Sequence, residues 1–188
     1  MEKLYLPQSV YEAAQERLDF IFSEFDNIIL SFSGGKDSGL LVSLVMDYLA
    51  GHGAGNRHIC LFHQDFEAQY TATTEYVTRV FEQTRGKLEQ FWVCLPMGSK
   101  TNLSNYELYW YPWDPDKRDI WVREPPDDPA VITPDNNPFA FYRPKMLQED
   151  LYKSCPTRGT WIEIALLGLV RQHEVMSCPT RGTWIEIT

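Results

Sequence analysis

Cysteine is scarce in this sequence: Cys60, Cys94, Cys155 and Cys178 are the four in 188 residues, and no two stand at C-x-x-C spacing. A disulfide-built scaffold is thereby excluded, a thiolate metal centre is disfavoured, and a reducing cytoplasm is the natural setting. No apolar run approaches the roughly 20 residues needed to cross a bilayer, so a membrane span is not expected. The first twenty residues carry Glu2, Lys3, Glu12, Glu16, Arg17 and Asp19, unlike a secretory signal. Positive charge is also short. Seventeen Lys and Arg face 26 Asp and Glu, for a net charge of −9, which disfavours a broad footprint on nucleic acid. What remains is a globular chain of ordinary hydrophobic content, 44%, long enough for one domain with a core and short of two.

The informative stretch runs from Asn27 to Gly39. Ile28-Ile29-Leu30 reads as a strand, and Ser33-Gly34-Gly35-Lys36-Asp37-Ser38 as a tight turn. Leu41, Leu44, Val45, Tyr48 and Leu49 then fall at helical spacing. Strand, glycine turn and helix start are how proteins build a phosphate cradle, because first-turn amides and the helix dipole favour an anion. Gly34 and Gly35 permit close backbone approach, Lys36 supplies a charge, and Ser31, Ser33 and Ser38 supply hydroxyls. Asp37 repels phosphate unless it caps the helix or holds a metal such as Mg²⁺. A Walker A loop is excluded, since Lys36 is followed by Asp37 where that motif needs Ser or Thr. The plainer alternative is a glycine turn that lets strand and helix pack.

Around this stretch the periodicity predicts a helix over residues 8–25, with Ser9 and Glu12 at capping-box spacing. A second strand is expected at His58–His63, a helix over 69–85, and a third strand at Phe91–Leu95. Three strand–helix steps imply an α/β fold, a Rossmann-like parallel sheet with flanking helices. The Ser33–Ser38 loop, Asp65 and Met97 should then converge at the carboxyl ends of the strands. Asp65 is expected to bind a ribose hydroxyl or, with Asp37, Mg²⁺; His63 and Glu67 are weaker candidates, and solvated acids are the alternative.

From Ser99 to Pro144 the pattern changes. Eight of the twelve prolines lie here with a dense aromatic set, so an irregular segment is expected, with at most a strand near Ile120–Arg123. Packing as a satellite core outweighs stacking on a nucleobase for these aromatics. Lys100, Arg118, Arg123, Arg143 and Lys145 suit either a distal phosphate or surface salt bridges. Residues 1–150 are thus read as the nucleotide-binding domain and 151–188 as a tail. Within that tail Ser154–Ile164 recurs without mismatch at Ser177–Ile187, too few copies for a solenoid. Thr160 and Glu163 are expected to cap a short C-terminal helix over Trp161–His173. Cys60 and Cys94 read as inert core residues, while Arg158 or Arg181 could activate Cys155 or Cys178.

The loop Ser33-Gly34-Gly35-Lys36-Asp37-Ser38 resembles the PP-loop of ATP pyrophosphatases and sulfonucleotide reductases. With Tyr5-Leu6-Pro7, Ser9–Ala13, Asp65 with Glu67–Tyr70, Trp92–Pro96, Tyr109-Trp110, Pro112-Trp113 and Asp119–Arg123, the chain resembles the PAPS reductase or sulfotransferase branch, of the immunoglobulin-binding-regulator type, over about residues 4–143. The resemblance implies a PP-loop fold that binds ATP or PAPS, with Mg²⁺ expected. Catalysis would be attack at the α-phosphorus with pyrophosphate release, or sulfonate transfer. Members of this type are longer, so the chain is expected to lack their C-terminal region. An adaptor that retains the fold without turnover, with a protein partner or as a homo-oligomer, is the alternative. A thiol-dependent reductase ranks last, because neither Cys155 nor Cys178 has the Glu-Cys-Gly context of that family.

Overall fold

The coordinates, a computed structural model, describe residues 7–101, 108–153, 160–163 and 185–186. Helix α1 (Val10–Glu24) starts on the expected capping box: Glu12 N–H donates to Ser9 Oγ at 3.2 Å, and Ser9 N–H to Glu12 Oε2 at 2.7 Å. Its Leu18, Ile21 and Phe22 are buried on one stripe. Strand β1 (Asn27–Ser31) follows, then α2 (Lys36–His52), β2 (His58–Gln64), α3 (Thr71–Thr84) and β3 (Glu89–Val93). The three strands are parallel neighbours, with Leu30 opposite Leu61 and Phe62 opposite Phe91.

Because both crossovers step the same way across the sheet, they deliver α2 and α3 to one face. That face holds the larger core: Leu30, Leu61 and Trp92 from the strands, with Phe32 just past β1, meet Ile21, Val45, Val77 and Phe81 from the helices. The opposite face carries Cys60, Phe62, Val93, Leu95 and Met97, and no described helix covers it. Phe139, Phe141, Tyr142 and Met146 from the proline-rich segment lie there instead. Packing is therefore what these aromatics do, Phe91 and Phe139 meeting at 5.7 Å.

That segment contains a two-stranded antiparallel pair, β4 (Ser99–Lys100) with β5 (Tyr109–Trp110), and β6 (Val131–Ile132), which joins the main sheet beside β3. After the short α4 (Gln148–Lys153), β7 (Thr160–Glu163) and β8 (Ile185–Glu186) complete a sheet of order β6-β3-β2-β1-β7-β8. The sheet is thus parallel on both sides of β1.

Two expectations are corrected. Ile120–Arg123 forms no strand: a 3₁₀ turn runs over Pro115–Ile120, and Val122 N–H donates to the Glu67 carboxylate at 3.0 Å instead of to a ladder. Thr160 and Glu163 do not cap a helix, since Thr160–Glu163 is strand β7, paired with Ile28–Leu30. Thr, Trp and Ile suit a strand wherever a neighbouring edge offers backbone partners. The rest of the expected helix, residues 164–173, lies outside the described residues. So do Cys155, Arg158, Cys178 and Arg181. Within the two copies of the repeat, Ile162 and Glu163 pair in parallel with their equivalents Ile185 and Glu186.

Candidate anion-binding site

Strand β1 ends at Ser31, opposite Phe62, and buried Phe32 carries the chain out of the sheet. Alternation puts Ser31 on the face away from the helices, with Ile29. The next six residues form a loop stitched by two hydroxyls. Ser38 Oγ donates to the Gly35 carbonyl at 3.1 Å and accepts Ser33 N–H at 3.3 Å. The Ser33 hydroxyl, 3.0 Å away, then supplies its own proton to Ser38 Oγ and accepts Gly35 N–H at 3.3 Å. Ser33, Gly35 and Lys36 face solvent. Gly35 is the N-cap of α2 without a side-chain cap, so the first-turn amides of Lys36, Asp37 and Ser38 have no intrahelical acceptor.

The two loop glycines do different work. Gly34 has φ +80°, and a Cβ there would stand 2.8 Å from Thr73 Cγ2 and 2.9 Å from Val77 Cγ2. Its underside is pressed on α3, which is the packing role of a glycine turn. Gly35 opens outward: a Cβ would meet only Ser33 Oγ, at 3.4 Å. One turn on, Gly39 lies under the Tyr76 hydroxyl. Helix α3 thus fixes both ends of the loop. Lys36 is exposed and reaches Asp37, Nζ to Oδ1 2.7 Å.

At the end of β2, Asp65 is buried and turned inward. Arg123 Nη2 donates to both its oxygens at 2.6 and 2.7 Å, Trp92 Nε1 to Oδ2 at 2.8 Å, and Glu67 N–H to Oδ1 at 2.8 Å. Glu67, at φ 61°, accepts Trp113 N–H at 2.8 Å and Val122 N–H at 3.0 Å. The positive φ is tolerated because those two bonds and the Asp65 bond over-determine the turn. These two acids therefore fasten residues 113–123 to the sheet, with Arg123 5.0 Å over the Trp113 ring. Sequence reading missed this role; Arg123 sits 58 positions from Asp65, with no local signal linking them. Met97 reaches the expected edge, but its side chain belongs to the core of the helix-free face.

Among the described residues the loop offers Mg²⁺ one carboxylate and no all-protein cage, an arrangement in which substrate phosphates supply the remaining oxygens. Asp65 spends both oxygens on Arg123 and its neighbours, which leaves Asp37 as the acid of the loop, itself paired with Lys36. Among the described residues no group of three or more His, Cys, Asp or Glu could hold a metal ion. Cys60 and Cys94 are buried, and burial pushes the Cys94 thiol far up, so it stays protonated.

Fold and site together define an α/β protein with a glycine-serine loop at the carboxyl end of its central strand. Compared with known proteins, the chain is 38% identical over 152 residues to the uncharacterized protein YbdN of Escherichia coli (strain K12). The match covers 80% of this chain and 36% of that protein, so the chain spans about a third of the relative's length. No family model and no solved structure matches. Among the described residues, no helix is long and apolar enough to cross a membrane.

Proposed function

We propose that this chain holds the phosphates of an adenine nucleotide, ATP or PAPS, on the Ser33–Ser38 loop, as the PP-loop resemblance implies. One observation carries the reading. The loop leaves β1 where the order of strand addition reverses, with β2 on one side and β7 on the other, and it presents solvent-facing Ser33, Gly35 and Lys36 above the start of α2. Such switch points are where open parallel sheets take ligands. First-turn amides and Lys36 would carry the phosphate charge. Any Mg²⁺ would arrive on the phosphate oxygens, with Asp37 as its protein ligand. Asp65 would serve from behind by holding the 113–123 segment.

If the bound nucleotide reacts, loop amides and Lys36 would stabilise charge developing on the phosphoryl oxygens during pyrophosphate release or sulfonate transfer. No described residue is placed as a nucleophile, which favours keeping the non-enzymatic adaptor as the second reading. Titration of the full chain with ATP, AMP and PAPS by calorimetry tests the first. Saturable binding, weakened about tenfold or more by Lys36→Ala, is expected. No saturation with any of the three ends it. Binding without pyrophosphate release selects the adaptor.

A further inference from the structure

Directly behind the loop stands a histidine that the anion site does not use. His63 is fully buried, ringed by Phe32, Phe81 and Trp92 at centroid distances of 6.1, 6.4 and 5.4 Å. Its Nδ1 lies 2.6 Å from the Phe32 carbonyl oxygen. A carbonyl only accepts, so Nδ1 carries the proton and Nε2 is a bare acceptor. Nε2 has no hydrogen-bond partner; the Gln69 side chain is beside it, and Gln69 Oε1 is likewise unpartnered. An aromatic cage would hold Phe or Leu without that cost. What an apolar side chain could not supply is the bond to Phe32.

That bond has a geometric consequence. The Phe32 carbonyl shares a peptide plane with Ser33 N–H, and in a trans peptide the two point in opposite directions. Drawing the oxygen inward to His63 turns Ser33 N–H outward, where it meets Ser38 Oγ. Ser38 in turn ties Ser33 and Gly35 together. We infer that His63 is a positioning residue of the loop: its Nδ1–H bond to Phe32 sets the plane of the Phe32–Ser33 peptide and, through the serine pair, the shape of the anion cradle. The consequence for ligand affinity rests on the nucleotide reading above; the loop geometry itself does not.

The test uses the full chain with His63→Asn, whose amide nitrogen falls where Nδ1 was, and His63→Leu, which removes the donor. Nitrogen-15 NMR of the wild-type imidazole near pH 7 is expected to show the Nδ1–H tautomer; an Nε2–H tautomer overturns the inference. His63→Leu should speed amide exchange across Ser33–Ser38 and weaken binding of ATP and inorganic pyrophosphate, each about tenfold, with His63→Asn within about threefold of wild type. Loop exchange unchanged in His63→Leu, or equally fast in a folded His63→Asn, also overturns it. Should His63→Leu not fold, the tautomer and the Asn variant decide. If wild type binds neither ligand, the nucleotide reading fails while tautomer and exchange still judge the positioning role.

Discussion

At the end of β2, three buried side chains, Asp65, Glu67 and His63, sit where their chemistry is costly, and each meets a named partner. The Asp65 carboxyl is buried but meets Arg123, Trp92 and a backbone amide. Glu67 is buried against two loop amides. His63 has one nitrogen satisfied and one not. Burial holds the His63 ring below its ordinary range, against the Phe32 bond, the Asp65 charge and the neighbouring Gln69 side chain, and the Arg123 guanidinium adds to the lowering. The unfolded chain therefore takes up a proton that the folded chain refuses. This contribution to stability is complete above the ordinary value of 6.5 and is lost as pH falls below it, by at most about 1.4 kcal/mol per pH unit. Urea unfolding between about pH 5 and pH 7.5 should give a steeper acid-side decline for wild type than for His63→Asn. Equal slopes would assign the proton uptake to other groups.

At the scale of elements, the loop is shaped by α3 as much as by its own residues. Thr73 and Val77 press on Gly34, and Tyr76 covers Gly39 and packs edge-on against Phe32 at 5.7 Å. Gly34→Ala meets both a positive φ and two methyl groups, so a loss of about 2–3 kcal/mol is expected. Gly35→Ala, with φ −85° and open space, should cost about 1 kcal/mol or less yet still crowd the anion side. Paired urea midpoints and pyrophosphate affinities separate the two: Gly34→Ala lowers the midpoint, and Gly35→Ala lowers affinity at near-normal stability. If both variants behaved alike, the division of labour between the glycines would be wrong.

Across the whole molecule, the parallel sheet has helices on one face and the proline-rich segment on the other, and the Asp65–Glu67 corner ties its 113–123 portion to the sheet. Asp65→Asn leaves the Arg123 guanidinium without its counter-charge, and a loss of about 3 kcal/mol is expected. Limited proteolysis should then cut within residues 113–123 faster than in wild type; unchanged stability and cleavage would show the corner to be dispensable. How far the sequence reached follows from where the signal is local. Two strand–helix steps with a third strand, the Ser9–Glu12 cap and the loop position are written in periodicity and spacing of a few residues, and they formed close to where expected, though no helix follows β3 directly. β3 came two residues early because Cys94, which still bonds the Ile132 carbonyl, continues the extended run beyond the ladder. The Ile120–Arg123 strand failed because its amide and guanidinium serve acids more than fifty positions away. Thr160–Glu163 reads along the sequence as the capped start of a helix, and it is a strand because the edge of β1 stands beside it. By itself, then, the sequence determined the alternation of elements and the glycine loop, because those depend on neighbours along the chain. Only the tertiary structure decided that Asp65 faces inward, that Gly34 belongs to α3 and that His63 braces the loop, because each is a contact between segments brought together by folding.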